Sequence, residues 1–172
     1  MTDDFNTHDD DDTPAHSFAP LPDHANQKIL PPLIVLAALA LAIALEWILG
    51  FRLFRLPVQI FLGLLFTGLG IILFALALNA LRAAKTALSP LEPTTTIVND
   101  GPYAYSRNPI YLAYTILYFG LVVLFDLFWG IVLFGPLIFA LIHYAIMPEE
   151  TYLARKFPEE YSAYKARVRR WF

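Results

Sequence analysis

Two short segments of this chain carry the residue types that could do chemistry. The first is residues 101–111, GPYAYSRNPIY, which contains an arginine, an asparagine and three tyrosines. The second is the adjacent pair Glu149 and Glu150. An arginine offers a fixed cation with a planar fork of donors, and glutamates accept hydrogen bonds from hydroxyls or an ammonium group. Together these groups predict a site for a small polar cofactor that carries charges of both signs.

The sequence around Arg107 favours an anion at this site. Asn108 precedes Pro109 and is expected to be extended, because the proline ring disfavours a helical conformation in the residue before it. Pro109 suits the first turn of a helix. Since helix N-termini attract anions, the start of this helix would add to the positive charge of Arg107.

Each of these residues also has a purely structural interpretation. Arg107 is then one more interfacial cation, and the two glutamates are the polar cap of a membrane helix. Tyr103, Tyr105 and Tyr111 are amphipathic rings typical of the aromatic belt at a membrane interface. Taken one at a time, the residues favour this structural interpretation.

The elements that must position these residues are strongly apolar. Hydrophobic residues make up 58% of the 172 residues and charged residues only 16%, whereas soluble domains are nearer one-quarter charged. The chain has no cysteine, which excludes disulfides, thiolate metal sites and a cysteine nucleophile. Residues 1–28 are acidic and rich in proline, so we expect a disordered tail there and a single membrane domain over residues 29–172.

Four apolar segments are long enough to be helices that cross or nearly cross a bilayer, for which ~20 residues are needed. We therefore predict an all-α integral membrane protein with about four transmembrane helices, at about 33–49, 58–81, 110–125 and 128–147. Pro136 is expected to kink the fourth helix. Residues 82–109 form a long polar loop, and loops of this length are often functional.

The tail at 148–172 shows the spacing of an amphipathic helix, with apolar residues three and four positions apart. Pro158 suits a new helix start, so a bend is predicted near Phe157. Ten of the twelve basic residues lie on the cytoplasmic side if both termini are cytoplasmic, and that is the orientation the positive-inside rule predicts. The loop and the tail then share one membrane surface, which we expect to be that of a bacterial inner membrane.

The segment GPYAYSRNPIYLA, followed by an apolar hairpin and PEETYLARKFPEEYSAYKARVRRWF, resembles the isoprenylcysteine carboxyl methyltransferase family, which includes phospholipid methyltransferases. The resemblance covers about 95–172. Asn108 stands where many members have histidine, and Ala113 and Pro158 stand where glycine is frequent, which bears mainly on the substrate type. The matching residues are Gly101, Pro102, Tyr103, Arg107, Asn108, Pro109, Tyr111, Glu149, Glu150, Leu153, Phe157, Tyr161 and Tyr164.

This resemblance implies methyl transfer from S-adenosylmethionine to a lipophilic or membrane-associated acceptor. Arg107 and the third helix would hold the cofactor's carboxylate, the glutamates its ammonium or ribose, and the aromatic rings its adenine. The implied catalytic residues are Arg107, Glu150 and His143, where His143, which precedes the glutamates on the same predicted helix, or a tyrosine would assist an amine or thiol in losing a proton. The implied cofactor-binding residues are Tyr103, Arg107, Asn108, Pro109, Tyr111, Glu149, Glu150, Phe157 and Tyr161.

The acceptor stays open at this point: a carboxylate, an amine or a thiol would each be compatible with the sequence. The expected partners are the lipid bilayer and this acceptor, with no nucleic acid and no metal site. Two alternatives are a membrane reductase similar to sterol reductases, which uses NADPH, and a non-catalytic membrane scaffold. Binding of S-adenosylmethionine, of NADPH or of neither would discriminate the three.

Overall fold

The computed structural model describes residues 29–51, 57–87 and 92–171. The predicted acidic tail at 1–28 lies outside these residues. Within them every regular element is helical, and three helical segments are long and apolar enough to cross a membrane, with a shorter apolar helix at Pro109–Leu124. The predicted fold class is therefore confirmed. The elements are α1 (Pro31–Leu49), α2 (Val58–Ala83), a 3₁₀ turn (Gly101–Ala104), α3 (Pro109–Leu124), α4 (Phe128–Leu141), a π turn (Ile142–Ile146), α5 (Met147–Lys156) and α6 (Pro158–Arg167).

The fourth apolar segment does not end at residue 147, as the hydrophobic pattern suggested. It continues through a π turn into α5 and stops at Lys156, a helical run of 29 residues. Pro148 explains the π turn, because a proline inside a helix has no N–H and its ring clashes with the carbonyl four residues earlier. The wider turn before it, in which the Met147 N–H donates to the Ile142 carbonyl, accommodates the ring. By contrast, α4 stays helical through Pro136.

Helices α2 and α3 pack backbone against backbone through glycines. A Cβ atom placed on Gly63 would lie 2.5 Å from the Leu124 Cα, and one placed on Gly120 would lie 2.5 Å from the Thr67 nitrogen. A third glycine, Gly70, also faces α3 with no room for a side chain. Small residues allow this close approach where apolar burial alone does not drive helix association in lipid. The pair α2–α3 is consequently the most closely packed part of the bundle.

Helix α1 packs against α4 and α3 and completes the core of the bundle. Ala42 of α1 and Tyr118 of α3 are fully buried there, and the Tyr118 hydroxyl donates to the Gly130 carbonyl at 3.1 Å. That bond satisfies the polar end of a ring that would otherwise be costly to bury. The core cluster consists of Ala42, Tyr111, Tyr118, Val122, Leu127, Leu137, Leu141, Ala145 and Ile146.

The C-terminal helices form a second, smaller core. The predicted bend is confirmed at Phe157, which has φ −130° and ψ 65° and separates α5 from α6. Residues 168–171 then return toward the start of α3. The buried members of this cluster are Tyr161, Tyr164 and Val168, against which Ile97, Leu153 and Phe157 pack.

Candidate active site

A cavity of about 300 Å³ lies between the N-terminal ends of α1 and α3, the C-terminal end of α2, and helices α5 and α6. One side of it is polar, and it is lined by both segments that the sequence singled out. The other side is apolar and is formed by the start of α1, the end of α2 and the first turns of α3. The predicted site residues that line the cavity are Tyr103, Arg107, Asn108, Pro109, Tyr111, Glu149, Glu150 and Tyr161.

Arg107 is a buried cation with unused donors. Its side chain is only 8% exposed, and its Nη2 lies 3.6 Å from the Glu150 Oε1. Its Nε and Nη1 are buried without a hydrogen-bond partner among the described residues. Leaving a buried charged donor unsatisfied is costly, so this arrangement points to an anion that completes the site.

The two adjacent glutamates have different partners. Glu150 accepts from Arg170 on both oxygens, with Nε to Oε1 at 3.1 Å and Nη2 to Oε2 at 2.7 Å. Glu149 accepts at Oε2 from the Tyr111 hydroxyl at 2.5 Å. Consecutive residues project about 100° apart on a helix, so the Glu150 side chain turns toward residues 168–171 and the Glu149 side chain turns toward α3. Both nevertheless reach the cavity wall.

Three hydrogen bonds join the loop that carries Arg107 to residues 168–171, which follow α6. The Arg107 N–H donates to the Arg169 carbonyl at 3.0 Å. The Ser106 hydroxyl and the Asn108 amide both donate to the Arg170 carbonyl, at 3.1 and 3.3 Å. Asn108 is buried and non-helical, with φ −132° and ψ 54°. Its amide therefore positions the loop, and Pro109 starts α3 directly behind it.

Three buried tyrosines complete the polar side of the cavity. Burial, with the negative charge of Glu150 adding to it, raises the pKa of Tyr161 to about 12. Burial also raises the pKa of Tyr103 and of Tyr164 above the usual range of a phenol. All three rings are therefore neutral phenols near neutral pH and act as hydrogen-bonding groups rather than as bases.

Replacing Tyr164 with Phe is expected to destabilise the fold by ~1–2 kcal/mol, because a buried acceptor loses its donor. The Tyr164 hydroxyl donates to the Tyr103 carbonyl at 2.7 Å. The measurement is thermal unfolding of the detergent-solubilised protein. Tyr105→Phe is the control, since that side chain is 80% exposed and lies in the loop that contains Tyr103. Equal unfolding temperatures for the two variants would show that the Tyr164 bond contributes nothing.

Two residues predicted for the site do not line the cavity. His143 is exposed, and its ring stacks on Phe139 at 4.3 Å between centroids. Its expected place near the glutamates assumed a regular helix, whereas the π turn shifts the angular positions of residues on its two sides. Phe157 packs with Tyr161 and Tyr164 in the second core instead.

Comparison with known proteins assigns the chain to a family. The family model described as phospholipid methyltransferase matches residues 58–160, more than half of the chain. The chain belongs to the phospholipid methyltransferase family. Members methylate membrane lipids and generally use S-adenosylmethionine. No curated protein and no solved structure matches the chain.

Several residues of this family member line the cavity or support it without having been predicted. Residues of the loop before the 3₁₀ turn form one wall, and the Thr94 N–H is fixed there by the Tyr152 hydroxyl at 3.1 Å. Arg170 holds Glu150, yet in the sequence it is one of several basic residues near the end of the chain. Neither the threonine run nor the basic tail has a spacing that would have distinguished these residues. The unpredicted lining residues of this loop are Thr94, Thr96, Ile97 and Val98.

Proposed function

We propose that the chain transfers a methyl group from S-adenosylmethionine to a lipophilic acceptor at the membrane surface. The observation that supports this most is the pair of unused, buried donors on Arg107 in a cavity that also contains two glutamates. The family match supports methyl transfer to a membrane lipid. The cavity also contains one cation, which suits the cofactor's carboxylate, and two carboxylates, which suit its positively charged groups.

The cavity residues fit the proposed cofactor group by group. Arg107 would bind its carboxylate through an edge of the guanidinium that includes one of the unused donors, Nε or Nη1. The ammonium and ribose would be accepted by Glu149 and Glu150, and the neutral hydroxyls of Tyr103 and Tyr161 supply further hydrogen bonds. When bound, the cofactor supplies an electrophilic methyl group on a sulfonium.

In this proposal the chain contributes mainly alignment. Holding donor and acceptor in one geometry can supply ~7–11 kcal/mol of the barrier. A carboxylate acceptor needs no base, whereas an amine or thiol must lose a proton. We assign that role to Glu149, because Glu150 already accepts on both oxygens from Arg170 and His143 lies outside the cavity.

The proposal places both termini in the cytoplasm, where a soluble cofactor is available. Ten of the twelve basic residues then lie on that side, as the positive-inside rule expects. The acceptor would reach the cavity from the bilayer, because the apolar side of the cavity is formed by Pro31, Pro32, Leu81 and Tyr114 of the apolar helices. A bacterial inner membrane fits this arrangement.

Cofactor binding by the purified full chain tests the proposal. Titration calorimetry in detergent is expected to detect binding of S-adenosylmethionine and none of NADPH. A labelled methyl group should then appear in an added membrane lipid. Binding of NADPH alone would favour a reductase, and binding of neither would favour a scaffold.

The two glutamates provide a finer test of the cavity. Glu149→Gln and Glu150→Gln are expected to weaken binding of S-adenosylmethionine by different amounts, because their partners differ. Glu159→Gln is the control, since Glu159 is exposed in the first turn of α6. If all three variants bind like the parent, the glutamates are not part of a cofactor site.

A further inference from the structure

Glu150 lies between two arginines and is bound unequally by them. Arg170 contacts both of its oxygens, at 3.1 and 2.7 Å, whereas Arg107 approaches only Oε1, at 3.6 Å. We infer that Arg170 is a positioning residue that holds Glu150 away from Arg107, so that Arg107 keeps two donors for an anionic ligand. This inference rests on the proposed function and adds the residue that maintains the binding-competent arginine.

The burial of the three side chains explains why Arg170 is needed. Arg107 and Glu150 are 8% and 12% exposed, while Arg170 is 35% exposed. A buried carboxylate and a buried guanidinium attract each other strongly, because little solvent screens them. Without a competing partner, a small rotation of Glu150 from 3.6 Å would form a bidentate pair with Arg107. That pair would occupy Nη2 and one of the two unused donors, and would neutralise the charge that attracts a ligand carboxylate.

The backbone of Arg170 fixes its side chain at the correct place. Its carbonyl accepts from both the Ser106 hydroxyl and the Asn108 amide, on either side of Arg107 in sequence. The same residue is therefore tied to the arginine loop by its main chain and to α5 by its side chain. A side-chain substitution leaves the main-chain bonds in place, so it removes the bond to Glu150 selectively.

A pair of variants tests the inference by the sign of their combined effect. Arg170→Ala should weaken binding of S-adenosylmethionine about 10-fold or more, the scale of one charge-assisted contact. Adding Glu150→Gln to Arg170→Ala should recover part of this loss, although Glu150→Gln alone weakens binding, because a neutral amide cannot form the charge-assisted bidentate pair with Arg107. A purely structural role for Arg170 predicts that the double variant binds no better than Arg170→Ala, and that outcome overturns the inference.

A second measurement needs no cofactor and so separates this inference from the proposed function. The guanidinium NMR signals of Arg107, assigned by comparison with Arg107→Lys, report whether a carboxylate is paired with this side chain. These signals are expected to shift between the parent and Arg170→Ala and to return toward their parent positions in the double variant. Unchanged signals across the three proteins would refute the inference whatever the cofactor. Failure of the parent to bind S-adenosylmethionine, with this pattern of shifts intact, would refute only the proposed function.

Discussion

Replacing Arg107 with alanine is expected to lower the affinity for S-adenosylmethionine about 10- to 100-fold, a loss of ~1.5–3 kcal/mol. The variant removes the buried cation whose Nε and Nη1 have no partner among the described residues. Glu150 keeps both bonds to Arg170, so the substitution does not leave a carboxylate unpaired. Titration calorimetry of the parent and the variant measures the difference directly.

Arg167→Ala serves as the matched control for this substitution. Arg167 lies exposed in the last turn of α6, so its loss changes the net charge by the same amount without touching the cavity. Arg107→Lys adds a second comparison, because it keeps the charge but loses the planar fork. An Arg107→Ala variant that binds like Arg167→Ala would mean that Arg107 is only an interfacial charge.

Replacing Gly63 with alanine is expected to destabilise the helix bundle by ~1–3 kcal/mol, the cost of overpacking a well-packed contact. The added methyl group would lie 2.5 Å from the Leu124 Cα and 2.7 Å from its nitrogen. Both are backbone atoms, which cannot rotate away, so α2 and α3 must separate. Thermal unfolding in one detergent at fixed concentration measures the cost.

Gly68→Ala is the control, because it lies in the same helix and a Cβ atom there meets nothing within 4 Å. It should be neutral or slightly stabilising, since alanine has the higher helix propensity by up to ~1 kcal/mol. Both variants replace a glycine of α2 with alanine, and they differ only in the atoms that the new methyl group meets. If they unfold at the same temperature, the close contact between α2 and α3 contributes nothing to stability.

Much of the fold follows from features that one sequence can reveal. Blocks of apolar residues predict helices because a bilayer requires satisfied backbone groups, and the prolines at 109 and 158 mark two helix starts correctly. The end of the fourth helix was misplaced because the apolar run ends at Met147, where the charged tail begins. A π turn instead allows the helix to continue. That adjustment depends on packing around the turn, which hydropathy does not report.

For the candidate site, too, some residues could be predicted from the sequence and others could not. Arg107, Glu149 and Glu150 were identifiable because they combine strong charges with apolar surroundings and a family motif. Arg170 was not, because its role depends on the path of residues 168–171 after α6 ends. His143 was placed near the glutamates by counting residues on a regular helix, and the π turn changes that count. Side-chain partners set by an irregular backbone are therefore the part that spacing alone does not predict.

The glycine contact between α2 and α3 also decides which parts of the cavity can move. Two helices in backbone contact at Gly63, Gly70 and Gly120 behave as one stiff body, because sliding or parting them breaks several contacts at once. Helix α3 carries Pro109 and Tyr111 at its start, so we expect the cavity wall that these residues form to stay in place. We expect any widening that admits a cofactor or an acceptor to come from the other walls, formed by the start of α1, the loop at 92–100, α5 and α6. The cavity is therefore expected to keep one rigid wall while its other walls adjust to the ligand.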